Sequence, residues 1–101
     1  MQSLHFGQVV QSTAGRDRLR VFIVIGIRKD SIKTEAVIAN GALRKVGCAK
    51  AKNPRHLKVI AELTDTERDE LKLSLTDEKL RQLCDKYDNF PKKNEIPLDK
   101  V

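Results

Sequence analysis

At 101 residues and 11.4 kDa the chain can build one small domain with a modest appendage but not two ordinary domains, and with 40% hydrophobic residues, 4% aromatics and no Trp its core has to be packed from Val, Ile, Leu and Ala. Residues 1–60 carry twelve Lys/Arg against three Asp/Glu, a net +9, whereas residues 61–101 carry eight against eleven, a net −3. The excess in the first part attracts polyanions, with RNA, DNA and anionic membrane surfaces all qualifying, while no apolar run approaches the ~20 residues that span a bilayer.

The start, residues 1–7, has neither the charged n-region nor the apolar h-region of a secretory signal, and the expected compartment is the cytoplasm. Val9 and Val10 open an extended segment that Gly15 ends. Residues 21–27 form a second strand, with Val21, Ile23, Ile25 and Ile27 on one face and Phe22 and Val24 on the other. Apolar residues on both faces predict a strand covered on both sides, as when a small sheet curls on itself. Between these strands Gly15-Arg16-Asp17-Arg18-Leu19-Arg20 reads as a basic loop on a β-hairpin. Residues 28–34 turn the chain into a third strand over 35–39, and Asn40-Gly41 is a two-residue hairpin signal. It predicts that residues 42–46 return as strand four, presenting Arg44 and Lys45. Residues 47–54 show little periodicity but carry Lys50 and Lys52, and 55–60 reads as a closing strand. Five short strands with no intervening helix predict a mainly β protein built on a small barrel.

The acidic part differs. Residues 64–67 look like a capping box opening a short helix, whereas 71–75 alternate like a strand, and both readings stay open. Thr76 is placed to cap a helix over about 77–88, with Asp77 and Glu78 in its first turn and Leu80, Leu83, Cys84 and Tyr87 at helical spacing. From Pro91 the chain is polar and proline-punctuated and reads as a loose tail. The expected organisation is therefore a barrel over 1–63, an acidic, partly helical extension over 64–90 and a tail over 91–101. Cys48 and Cys84 lack CxxC spacing and a His pair, so they are expected to be free thiols with no metal site.

Phe6-Gly7-Gln8-Val9-Val10, then Ser12-Thr13-Ala14-Gly15-Arg16-Asp17-Arg18, then an aliphatic strand, resembles the KOW motif of ribosomal proteins and transcription elongation factors. With Ala39-Asn40-Gly41, Leu43-Arg44-Lys45-Val46 and Asn53-Pro54-Arg55-His56-Leu57, the chain looks like short bacterial KOW-domain proteins similar to an archaeal and eukaryotic large-subunit ribosomal protein family. The resemblance covers residues 6–58. It implies an SH3-like barrel that binds RNA, ribosomal by expectation, through loops and basic strand edges. The family's basic loop falls on Arg16, Arg18 and Arg20, and its later basic positions on Arg44, Lys45, Arg55 and His56. One position departs from the pattern: Leu19 stands where a KOW motif usually has glycine, the residue that takes positive φ cheaply. Either the loop adopts another conformation or it does not touch RNA in the family's usual way.

The expected RNA contacts are Arg16, Arg18, Arg20, Arg44, Lys45, Lys50, Lys52, Arg55, His56 and Lys58. Guanidinium forks suit phosphates and exposed bases, and flexible lysines add attraction without geometry. The competing reading of the loop is a solvated tip in which Arg16 or Arg18 pairs with Asp17 or another carboxylate. No phosphate-binding glycine loop, nucleophile elbow or metal-ligand cluster is present in the sequence, so no catalytic residue and no cofactor is expected. The expected function is a non-enzymatic RNA-binding protein associated with the ribosome, its assembly or translation. The alternative is a protein-interaction module that docks on a ribosomal or transcription protein through the barrel loops, where Leu19 offers an apolar contact, or through the C-terminal helix.

Overall fold

The computed structural model describes the backbone of residues 4–100 and the side chains of residues 4–88. Five strands, β1 (Gln8–Ser12), β2 (Val21–Lys29), β3 (Thr34–Ala39), β4 (Lys50–Lys52) and β5 (Leu57–Glu62), precede two helices, α1 (Asp65–Leu73) and α2 (Asp77–Lys100). The strands form one antiparallel sheet in the order β4-β3-β2-β1-β5. It is not closed: β4 and β5 are the two edges and do not pair with each other.

β2 sits at the centre, and its β-branched residues supply both faces of the sheet. The register pairs Val9 with Ile23 and Val10 with Phe22, so cross-strand partners share a face. Val10, Phe22, Val24, Ala36, Ile38 and Leu57 pack together on one side. Val9, Val21, Ile23 and Ala39 pack on the other, under Leu63, Leu71, Leu80, Leu83 and Cys84. Two-sided burial of β2 is thus present, but the helices cover one of the sides. The sheet bends at two register shifts, one at Val24/Gly26 and one at Val9/Val10. A 3-10 turn over Pro54–His56 lies against both β3 and β5, which are three places apart in the sheet order. The sheet therefore curls.

Strand four is not where Asn40-Gly41 places it. Residues 40–45 make a compact turn: the Asn40 carboxamide oxygen accepts from Ala42 N (3.1 Å) and Arg44 N (2.9 Å), while Arg44 O accepts from Asn40 N (2.8 Å) and Gly41 N (3.0 Å). An asparagine side chain that satisfies two backbone donors ahead of it competes with the hairpin ladder and here wins. A 3-10 turn over Val46–Cys48 follows, and the pairing with β3 is made by Lys50–Lys52. Arg44 and Lys45 therefore lie on a turn, not on a strand.

Between residues 64 and 75 the helix prevails. Thr64 Oγ1 accepts from Glu67 N (3.1 Å) and Glu67 Oε1 accepts from Thr64 N (3.0 Å), a complete capping box. Leu71 is fully buried while Leu73 is 88% exposed, a contrast that a strand with both on one face could not give. α2 starts at the predicted place, with Thr76 Oγ1 accepting from Lys79 N (3.2 Å), and its stripe of Leu80, Leu83 and Cys84 is buried on the chain's own sheet with Tyr87 beside it. The extension is therefore part of the core. The helical backbone continues to Lys100, where the sequence predicts a loose tail from Pro91; the stretch between Pro91 and Pro97 consists largely of residues that helices accept. Val101 lies outside the described residues. Cys48 and Cys84 are both free thiols, and burial first, then Asp85 and Asp88, pushes the Cys84 thiol up to about 12.

Candidate nucleic-acid interface

The loop between β1 and β2 is shaped from its ends inward. Ser12 N donates to Arg20 O (3.0 Å) and Leu19 N to Ser12 O (2.7 Å), which carries the ladder into the loop. Arg18 N to Gly15 O (3.3 Å) and Arg20 N to Asp17 O (3.0 Å) then tighten its tip. Two residues take positive φ, Gly15 at 85° and Leu19 at 71°. The loop thus keeps the backbone sign that glycine favours at position 19 while carrying leucine, and the Leu19 side chain is 63% exposed. In this conformation Arg16, Arg18 and Arg20 face solvent and Asp17 faces in, only 4% exposed.

Asp17 pairs with neither arginine. Its Oδ1 accepts from Lys52 Nζ at 2.7 Å, and the same ammonium donates to Ser12 Oγ (2.5 Å) and Ala14 O (3.0 Å). All three donors of Lys52 are spent, and the residue is 8% exposed. Lys52 thus leaves the set of predicted RNA contacts: it is an internal lock on the loop. Burial alone would raise the Asp17 carboxyl, but hydrogen bonds from Lys52 and Ser12 and the charges of Lys52 and Lys50 outweigh it and hold the pKa below its ordinary 3.8. The lock also explains the curl of the sheet, since Lys52 on β4 reaches Ser12 at the end of β1 although β3 and β2 lie between them in the strand order.

The turn over 40–45 faces this loop and is held from behind by α2. Arg81 Nη1 donates to Gly41 O (2.9 Å), and Asp77 Oδ1 accepts from Val46 N (2.7 Å). Gly41, at φ 78°, lies so close to the helix that a Cβ would collide with the Asp77 carbonyl. Between loop and turn is an open cleft of about 370 Å³ lined by Arg16, Asp17, Arg20, Leu43, Arg44 and Lys50. A wider cleft of about 550 Å³ lies on the other side of Arg20, where Leu19 faces Arg81, Asp85 and Asp88 of α2.

Four predicted contacts, Arg16, Arg20, Arg44 and Lys50, thus line one cleft, with Arg18 exposed on the same loop. Arg55 and His56 are exposed on the 3-10 turn beside it, joined through Thr13 N donating to His56 O (2.9 Å). Lys58 is exposed on β5 opposite Gln11, and Lys45 is exposed where the 40–45 turn ends. Sequence reasoning missed Leu43 as a wall of the cleft and Asp17 and Ser12 as parts of the lock. The signal for the lock was available: one acid amid three arginines, and two lysines at i and i+2 on one strand face. Among the described residues no three His, Cys, Asp or Glu side chains stand close enough to hold a metal ion, and no helix is long and apolar enough to cross a membrane. Compared with models of known protein families and with curated protein sequences, the chain matches none.

Proposed function

We propose that this chain is a non-enzymatic, cytoplasmic RNA-binding protein associated with the ribosome, its assembly or translation, and that its sheet is an SH3-like barrel of the KOW kind. The observation that carries the reading is the convergence of Arg16 and Arg20, from a loop locked from within by Lys52, with Arg44 of the 40–45 turn and Lys50 of β4 around one cleft, and with Arg18 exposed on the same loop. Guanidinium groups fixed by a rigid loop lose less freedom on meeting phosphate than groups on a mobile one. Further support for the barrel comes from the strand order, the 3-10 turn that leads into the last strand, and an apolar core around Phe22 on the side the helices leave uncovered.

The test is titration with structured ribosomal RNA fragments at low and raised salt, together with sedimentation of the tagged protein from lysate with and without ribonuclease. Binding that weakens with salt, and co-migration with ribosomal particles that ribonuclease abolishes, are the expected results. Absence of binding at low salt would reject the reading. The second reading, a protein partner docked on the loops, is favoured by one observation, the exposure of Leu19. In that case Leu19→Asp abolishes association and replacing the three loop arginines with Ala spares it. For the helix half of that reading, Leu80 and Leu83 are buried on the chain's own sheet, so a partner would have to use other residues of α2.

A further inference from the structure

The cleft between the arginine loop and the 40–45 turn holds unspent hydrogen-bonding groups of both kinds. Asp17 Oδ2 and Arg44 Nε are buried without a hydrogen-bond partner among the described residues, in a site whose other polar walls are Arg16, Arg20 and Lys50. The Asp17 side chain is 5% exposed, and Lys50 Nζ lies 3.9 Å from its free oxygen, beyond hydrogen-bond reach. Leu43, half-exposed, gives the cleft one apolar wall.

We propose that this cleft binds a single unpaired nucleotide of an RNA, with its phosphate on Arg16, Arg20 and Lys50 and its base against Leu43, a base N–H donating to Asp17 Oδ2. The inference rests on the RNA-binding reading above and narrows it to RNA with a looped-out or bulged residue. A simple anion would use the donors but would meet the carboxylate as a like charge. An apolar ligand would cover Leu43 and leave four cations without partners. A nucleotide answers both, since it carries an anion, a flat apolar face and N–H donors. Those donors are free only in an unpaired base, because pairing spends the Watson–Crick edge. The volume agrees, since about 370 Å³ is at the small-ligand end of binding sites and admits no duplex. Lys50 flanks Asp17 Oδ2 at 3.9 Å, so a phosphate that draws its ammonium outward opens the approach of the base to that oxygen.

The experiment compares a fully paired RNA hairpin with the same hairpin carrying one bulged nucleotide, by fluorescence anisotropy at fixed salt, for the wild type and Leu43→Ala. The wild type is expected to bind the bulged hairpin about tenfold more tightly, the factor that one or two good contacts carry. Leu43→Ala, a truncation on a half-exposed turn outside the core, is expected to cut that ratio to about threefold or less. The ratio cancels any general loss of affinity. Equal affinity of the wild type for the two hairpins overturns the inference and leaves RNA binding standing; binding to neither overturns both. A ratio unchanged in Leu43→Ala overturns the placement in this cleft.

Discussion

Leu19 holds the left-handed backbone of a glycine without being one. For an L-residue that conformation costs about 1–2 kcal/mol, and glycine would return about 0.5–1 kcal/mol of this through its greater freedom in the unfolded chain. Leu19→Gly should therefore stabilise the fold by about 0.5–1 kcal/mol, read as a higher urea midpoint at unchanged slope. Lys52 is the opposite case, a residue whose loss leaves the buried Asp17 carboxylate with only the Ser12 hydroxyl and the more distant Lys50. Lys52→Met should cost about 3–5 kcal/mol at neutral pH. The pH dependence of the wild type follows from the depressed pKa of Asp17. Its contribution is fully present above the unfolded value of 3.8 and is lost as pH falls through the lower folded value. In Lys52→Met the sign reverses, because protonation then relieves the unpaired carboxylate. Urea unfolding of both proteins at neutral pH and at about pH 4 should show the gap between them narrowing on acidification.

At the scale of elements, the helices are joined through Glu67. Its carboxylate accepts from Thr64 N within α1's cap, from Tyr87 Oη (2.6 Å) and from Lys86 Nζ (2.5 Å) on α2. Burial alone would raise its pKa, but the Lys86, Tyr87 and Thr64 hydrogen bonds bring it down to about 2. Its contribution is present above the ordinary 4.5 and fades as pH falls toward about 2, so Glu67→Gln should flatten the acid limb of the stability curve in that window. The 40–45 turn depends just as closely on α2. Gly41→Ala adds a Cβ at positive φ against the Asp77 carbonyl, and should cost at least about 2 kcal/mol, a drop in Tm of about 10 °C. The helix caps and the burial of β2 were legible in the sequence because they rest on local hydrogen bonds and periodicity. Strand four was not, because what displaces it is the reach of the Asn40 side chain and a close approach to a helix starting 36 residues after Gly41. For the same reason Lys52 read as a solvated lysine: its partners are 35 to 40 positions away.

For the whole molecule, the sequence divides charge into a basic part and an acidic part, and the fold sets them edge to edge. Arg20 stands between a cleft of arginines and lysine and a wider one bordered by Asp85 and Asp88. Polyanion binding should therefore concentrate on the arginine side. The slope of log K against log salt for RNA binding should fall by about 2–3 when Arg16, Arg18 and Arg20 are replaced by Ala, at about 0.7–0.9 for each phosphate no longer neutralised. That convergence was only half visible beforehand, since the residues could be named from their types but their meeting in one cleft depends on the curl of the sheet.

The curl leaves β4 and β5 as open edges, and an open edge is where another chain can add a strand. β4 is three residues long and turns a charged lysine inward. A foreign strand that straightened β4 would have to pull that ammonium away from Ser12, Ala14 and Asp17. The lysine that orders the arginine loop therefore also makes β4 a costly edge for another strand to extend.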